Sequence, residues 1–185
     1  MGSLQNNILI AMPHMVDPYF GKSVILICEH SIDGAMGLII NRPFQEPNLK
    51  NLFSEISKES EEILGIIPTV YFGGPVMIER GIVLHSTEHV SEGTMTISND
   101  FAITSHKEIL NDISKGKGPN KFKLHLGHAG WSAGQLEREI EKGDWLLQST
   151  TLDFVFNIPE KYMWHQAAKT LGIDTAHITG FGGSA

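Results

Sequence analysis

Apolar runs along the chain are short and are separated by glycine, proline and acidic turn residues, the punctuation of a sheet-rich domain. Residues 8–12 form an apolar run of strand length, closed by Pro13 and followed by Asp17-Pro18 and Gly21. Residues 24–28 are an uninterrupted β-rich run, Asp33-Gly34 follows, and apolar character resumes over residues 35–40. This predicts a hairpin with His30 and Ala35 near its tip. Because residues 24–28 do not alternate with polar positions, that strand is expected to be covered on both faces and to lie centrally. Asn41-Arg42-Pro43 breaks the sheet, since proline lacks the ladder donor. Leu49, Leu52, Phe53 and Ile56 then recur at helical spacing after a capping Asn48. Strands are expected at 69–72, 81–85, 95–97 and 101–104, with Gly73-Gly74-Pro75 interrupting the series.

A helix over 105–114 is predicted to turn Ile109, Leu110 and Ile113 inward and to stop at Gly116. Residues 121–126 alternate Phe122, Leu124 and Leu126 against Lys121, Lys123 and His125, which predicts a half-exposed strand with the polar set outward. The chain is expected to turn at residues 127–131. Ser132 and Gln135 have the spacing of a capping box for a helix that carries Leu136 and Ile140 on one face and closes at Gly143. Residues 145–147 and 154–156 read as extended, and Pro159 opens a last helix with a stripe of Trp164, Ala167, Ala168 and Leu171 before Gly172. Grouped strands interrupted by helices, with no regular βαβ repeat, indicate an α+β domain spanning 1–185, with residues 1–5 and 181–185 as loose ends.

Composition narrows the function classes. The chain has 185 residues, 41% of them apolar and 19% charged, enough for one conventional core. Fourteen Lys and Arg against 21 Asp and Glu give a formal charge of −7, which offers a polyanion no global attraction and disfavours direct DNA binding. Cys28 is the single cysteine, so an intrachain disulfide and a Cys-rich zinc site are excluded. No apolar run reaches the ~20 residues of a membrane span, and the first residues lack signal-peptide character. A cytoplasmic location is expected.

The segments Leu9-Ile10-Ala11-Met12-Pro13, Cys28-Glu29-His30, Gly34-Ala35-Met36-Gly37 and Asn41-Arg42-Pro43 resemble, in that order, the start of the bacterial AlgH/YqgE family. Gly73-Gly74-Pro75, Arg80-Gly81, Gly130-Trp131, Gly134-Gln135-Leu136-Glu137 and Leu171-Gly172-Ile173-Asp174 continue the match, which covers residues 8–174. The resemblance implies a bifurcated, mostly antiparallel sheet closing toward a pseudo-barrel, flanked by about four helices. It implies little chemistry: members carry a transcriptional-regulator label without an established activity.

Several groups invite chemistry. In Cys28-Glu29-His30, strand alternation would turn His30 to the same side as a core-facing Cys28 and Glu29 to the other, giving a buried thiol and a capping histidine. Thiol catalysis is the competing reading. His85, His89, His125 and His128 could hold a metal only with carboxylates from distant segments, so they are read as structural, and no metal or cofactor is expected. Lys115, Lys117, Lys121 and Lys123 read as a solvated cationic stretch. Gly73-Gly74-Pro75 and the glycine-rich 127–134 could offer amides to an anion, completed by Arg42 or Arg80, although neither matches a phosphate-loop pattern. The candidate ligand set is therefore His30, Asn41, Arg42, Gly73, Gly74, Arg80 and His85, with no catalytic residue. A noncatalytic regulatory module that binds a protein partner or small ligand is the leading expectation. The alternative is a hydrolase or transferase acting on a phosphorylated small molecule or nucleotide.

Overall fold

The structure is a computed structural model describing residues 2–45, 65 and 67–173. The helix expected over 48–56 and the tail 181–185 lie outside the described residues. In chain order the strands are β1 (Asn7–Ala11), β2 (Val24–Ser31), β3 (Gly34–Ile39), β4 (Val70–Phe72), β5 (Val76–His85), β6 (Thr94–Thr96) and β7 (Ala102–Thr104). Helix α1 (Glu108–Ser114) precedes β8 (Phe122–Ser132), and α2 (Gln135–Glu141), β9 (Trp145–Ser149), α3 (Leu152–Asn157) and α4 (Glu160–Thr170) complete the described set. None of these helices is long and apolar enough to cross a membrane.

The strands form one curled sheet in the order β6-β7-β5-β8-β3-β2-β1-β9, a half-barrel flanked by the four helices. Strand β8 is its hinge. One edge pairs with β5, while the other is shared: β4 runs parallel to β8 over Leu124 to Leu126, and β3 runs antiparallel to it over Ala129 to Ser132. Beyond β3, the chain turns onto β4, with Phe72 N–H donating to the Arg42 carbonyl (2.8 Å) and Phe44 N–H to the Val70 carbonyl (2.9 Å). At the open side the Gln5 side chain, ahead of β1, donates to the Ile97 carbonyl, just past β6 (3.0 Å).

Strand alternation sorts the core. Ile8, Ile10, Val24, Leu26 and Cys28 face one cluster with Phe101, Met163 and Trp164, whereas Leu9, Ala11, Ile25 and Ile27 face another with Trp131, Leu136 and Trp145. The central hairpin is thus covered on both sides, as its unbroken apolar run predicts. Full burial of each Ile or Leu contributes ~1.5–3 kcal/mol.

Several details differ from the sequence expectations. The hairpin turn is Ile32-Asp33 at negative φ, and Gly34 already pairs with Ser31 as the first residue of β3. Glycine is needed there because a Cβ would lie 2.3 Å from the Trp131 carbonyl oxygen. Strand β8 does not turn at 127–131 but runs on to Ser132, and its polar residues Lys123 and His125 are buried, since β4 and β5 flank it and Val155 and Glu160 cover it. Residues 154–156 are helical because the Thr151 hydroxyl caps α3 by accepting from Phe154 N–H. Half of the expected capping box forms: the Gln135 side chain accepts from Ser132 N–H (3.0 Å), but the Ser132 hydroxyl turns to the same oxygen and left-handed Gly134 occupies the cap. Leu171 is partly exposed rather than part of the α4 stripe. Leu4, in the segment read as loose, is buried.

The fork requires backbones to cross at van der Waals distance. A Cβ on Gly74 would stand 2.1 Å from the His128 carbonyl carbon, and one on Gly127 would stand 2.2 Å from the Gly74 oxygen. Gly116 has the left-handed φ of +69° but open space around it. Gly116→Ala is therefore expected to cost about 1 kcal/mol from φ alone. Gly74→Ala should cost at least about 2–3 kcal/mol more, with urea-unfolding midpoints giving the comparison.

Candidate functional site

The concavity that gathers chemistry lies where the loop after β1, the exit from β3 and the start of α4 meet. It is a cleft of about 230 Å³ lined by Lys22, Asn41, Arg42, Glu160, Lys161, Trp164 and His165. The loop owes its shape to local hydrogen bonds. The Asp17 carboxylate accepts from Tyr19 and Phe20 N–H, and Gly21 N–H donates to the Asp17 carbonyl. Arg42 spans the same loop with two guanidinium donors, to the Pro18 and Gly21 carbonyls (both 2.8 Å). Asn41 accepts from Val24 N–H and donates to the Lys22 carbonyl (both 2.9 Å). These contacts hold Lys22 in the left-handed region at φ 57°, a conformation costing ~1–2 kcal/mol for a residue with a Cβ. Its ammonium sits 5.8 Å from the centre of the Trp164 ring, which is anchored by indole donation to the Ala11 carbonyl (2.8 Å).

Burial draws the Arg42 guanidinium below its ordinary pKa, while nearby Asp17 opposes the shift. Arg42 remains a cation. Cationic residues from three segments, Lys22, Arg42 and Lys161, thus line one small cleft with Glu160, the Lys161 ammonium lying 4.8 Å from the centre of the Tyr162 ring.

Glu160 joins the cleft to a buried polar cluster. Its Oε1 accepts from the Tyr71 hydroxyl (2.5 Å) and the Lys123 ammonium (3.2 Å), which also donates to the Val155 carbonyl (2.8 Å) and lies 5.0 Å from the Tyr71 ring centre. Burial raises the Glu160 pKa, but the Tyr71 hydroxyl, its own backbone and Lys123 outweigh it and leave the carboxyl below its usual range. Burial lowers the Lys123 pKa, with Glu160 opposing, and raises that of the Tyr71 phenol, with Glu160 adding to the rise. Against Tyr71 stacks His125, fully buried and without a hydrogen bond at either ring nitrogen; burial, then the charge of Lys123, pushes it down to about 3.

Of the seven residues selected from sequence, only Asn41 and Arg42 line the cleft. His30 lies at the other end of β2, its Nδ1 accepting from Leu4 N–H (3.0 Å). This fixes the proton on Nε2, which donates to Glu137 (2.6 Å). It does not share the side of Cys28: a bulge between Ile27 and Glu29 reverses the alternation and turns His30 to Leu4 and α2. The bond from His30 holds the Glu137 carboxyl below its usual range.

Gly73 and Gly74 sit at the sheet fork, where Gly73 N–H donates to the Leu126 carbonyl and its own carbonyl accepts from Ile39 N–H. Arg80 is on the exposed part of β5 and donates to the Ser105 hydroxyl (2.9 Å). His85 is buried in a directed chain. Ser91 N–H donates to the Thr94 hydroxyl, which meets the Thr104 hydroxyl, which meets His85 Nε2 (2.8 Å), while Nδ1 faces the Ser86 carbonyl (2.8 Å). Burial lowers its pKa, consistent with a neutral ring donating from Nδ1. Cys28 is buried in the core, its thiol facing the Leu26 carbonyl; burial, then Glu29, pushes its pKa up.

Sequence reasoning did not select Lys22, Glu160, Lys161 or His165. The turn signal Asp17-Pro18 to Gly21 and the helix start at Pro159 were visible. Their juxtaposition is tertiary.

A sequence profile described as AlgH-like matches residues 8–176. A UPF0301 protein of Paraburkholderia phymatum is 44% identical over 185 residues, covering 99% of this chain and 96% of that one. A second, from Ralstonia nicotianae, is 41% identical over 183 residues with the same coverage. The solution structure of the AlgH protein from Pseudomonas aeruginosa matches with a TM-score of 0.74 at 34% identity, over 99% of this chain and 96% of that one. The crystal structure of protein DIP2367 from Corynebacterium diphtheriae shares the fold, with a TM-score of 0.67 at 22% identity over 92% and 87%.

Two outcomes follow from the buried groups. Cys28 should react with iodoacetamide only at the rate of global unfolding, so that mass spectrometry finds it unlabelled in native buffer and labelled in urea. For His125, the folded pKa of about 3 lies below the ordinary 6.5. Between those values the unfolded chain takes up a proton that the folded chain refuses. Its effect on stability is absent above pH ~6.5 and grows as pH falls toward 3, costing at most about 1.4 kcal/mol per pH unit. His125→Phe should flatten the acid side of a stability–pH curve by about one proton, while the larger ring in this buried site changes stability by about 1–3 kcal/mol at all pH values alike.

Proposed function

The chain belongs to the AlgH-like family, whose relatives named above bring no stated activity with them, and from the cleft we propose that it is a noncatalytic binding module taking a small anionic ligand, with a regulatory role exerted through that ligand. One observation carries the reading: Lys22, Arg42 and Lys161 come together in a cleft of a chain whose formal charge is −7. Locally concentrated charge of the minority sign in a concave, low-dielectric setting focuses the field on a ligand of opposite sign. Among the described residues that line the cleft, Glu160 is the one carboxylate against Lys22, Arg42 and Lys161, so positive charge is in surplus there.

Binding rather than turnover is favoured by the setting of the reactive groups singled out from sequence. Cys28 is sealed in the core, and His85 and His30 are engaged in structural hydrogen bonds away from the cleft. The hydrolase or transferase alternative would use the same cleft and require release of product from a phosphorylated ligand.

The expected result is that inorganic phosphate raises the melting temperature relative to chloride at equal ionic strength. The stabilisation is about 1.4 kcal/mol at ten times the dissociation constant, or roughly 3–6 °C for a chain of this size. Lys22→Ala combined with Lys161→Ala should remove the shift without lowering the unliganded melting temperature by more than about 4 °C. An unchanged shift in the double variant overturns the site, and phosphate release from a nucleotide by the wild-type chain overturns the noncatalytic reading.

A further inference from the structure

Resting on the anion cleft described above, we infer that its ligand is a small zwitterion, a phosphate-type anion joined by a short spacer to an ammonium group. The anionic end is set by number. Three cations exceed what one carboxylate ligand would neutralise and suit a phosphoryl or phosphonyl group of up to two charges.

The cationic end is set by Glu160. Its Oε1 is turned toward Tyr71 and Lys123 and takes both of their hydrogen bonds. Oε2 has no side-chain donor among the described residues, yet Glu160 lines the cleft. Tyr71 and Lys123 hold that carboxylate through Oε1, and its own backbone N–H supports it as well, which leaves lone pairs of Oε2 for a ligand donor in the cleft. A purely anionic ligand would sit against it at an electrostatic cost; an ammonium group on the ligand turns that cost into a charge-assisted hydrogen bond. Size agrees as well. A cleft of about 230 Å³ has room for a two-carbon spacer between the charged ends.

The test compares 2-aminoethylphosphonate with propylphosphonate, which has a methyl group in place of the ammonium, by isothermal titration calorimetry on the wild-type full-length chain. The expected result is at least tenfold tighter binding of the aminophosphonate, with the advantage lost in Glu160→Gln while propylphosphonate binds that variant as well as or better than wild type. Equal or tighter binding of propylphosphonate by the wild type overturns the zwitterion and leaves the anion cleft standing. Binding of neither compound, nor of inorganic phosphate, overturns both. An advantage that persists in a folded Glu160→Gln chain removes Glu160 as the recognising group and overturns the inference. The wild-type comparison decides the ligand chemistry even if the variant does not fold. Vesicles of phosphatidylethanolamine and phosphatidylcholine distinguish the source. Sedimentation with the former alone identifies a lipid headgroup carrying the same chemistry, and sedimentation with neither, alongside tight aminophosphonate binding, identifies a free metabolite.

Discussion

Close passage of the Gly73-Gly74 segment, which follows β4, across β8 at Gly127 and His128 is the constraint from which the rest of the architecture follows. A strand has two hydrogen-bonding edges, and β8 divides one of them between β4 and β3. Two strands can share an edge only if they splay apart, and the splay brings the Gly73-Gly74 backbone onto Gly127 and His128 at distances that exclude a side chain. The fork curls the sheet into a half-barrel instead of a flat layer. The interior is then filled by α3 and α4, which close over β1, β2 and β7.

The same fork determines where the cleft forms. Because β3 must give way to β4 along β8, the chain leaving β3 is hydrogen-bonded to β4 through Arg42 and Phe44, and this fixes the backbone of Arg42. From there its side chain reaches back to the loop at Pro18 and Gly21, and Asn41 reaches Lys22. Residues whose first task is to hold a loop in a strained shape thereby also supply cationic character to the concavity beside α4. Structural and functional readings of Asn41-Arg42 are therefore compatible: two of the five guanidinium donors are spent on carbonyls, and the charge remains.

On its other side the cleft rests on polar groups that a core would ordinarily exclude. A lysine, a tyrosine and a glutamate are mutually compensated through Glu160 Oε1, which offsets the desolvation that burial imposes on each. His125 lies beside them uncharged, packed on the Tyr71 ring, and its burial adds nothing to this compensation. The carboxylate is held at the boundary between this interior and the cleft, so the packing beneath the cleft determines the orientation of a group that lines it.

Local chemistry in the chain was sufficient for much of this. The apolar run 24–28 and its continuation past Gly34 specified a doubly covered central hairpin, because an element without polar alternation has no face to give to water. Gly116, Gly143 and Gly172 marked helix ends, as their positive φ values bear out, and the turn and break residues around 17–21 and 41–43 marked the two loops that build the cleft. Other features depended on partners distant in sequence. Alternation over 121–126 implied an exposed polar face, but covering by α3 and α4 buried Lys123, and His125 lies buried against the Tyr71 ring of β4. A one-residue bulge at Cys28 moved His30 to the opposite side, since period-two reasoning fails wherever the register slips by one. Glycines at 73, 74 and 127 read locally as turns, whereas their role is to let the connection from β4 to β5 pass over β8. The cleft itself unites residues 22, 42 and 160–165, and only chain crossing could bring them together: charge and hydrogen bonding act through space, whereas propensity and periodicity act along the chain.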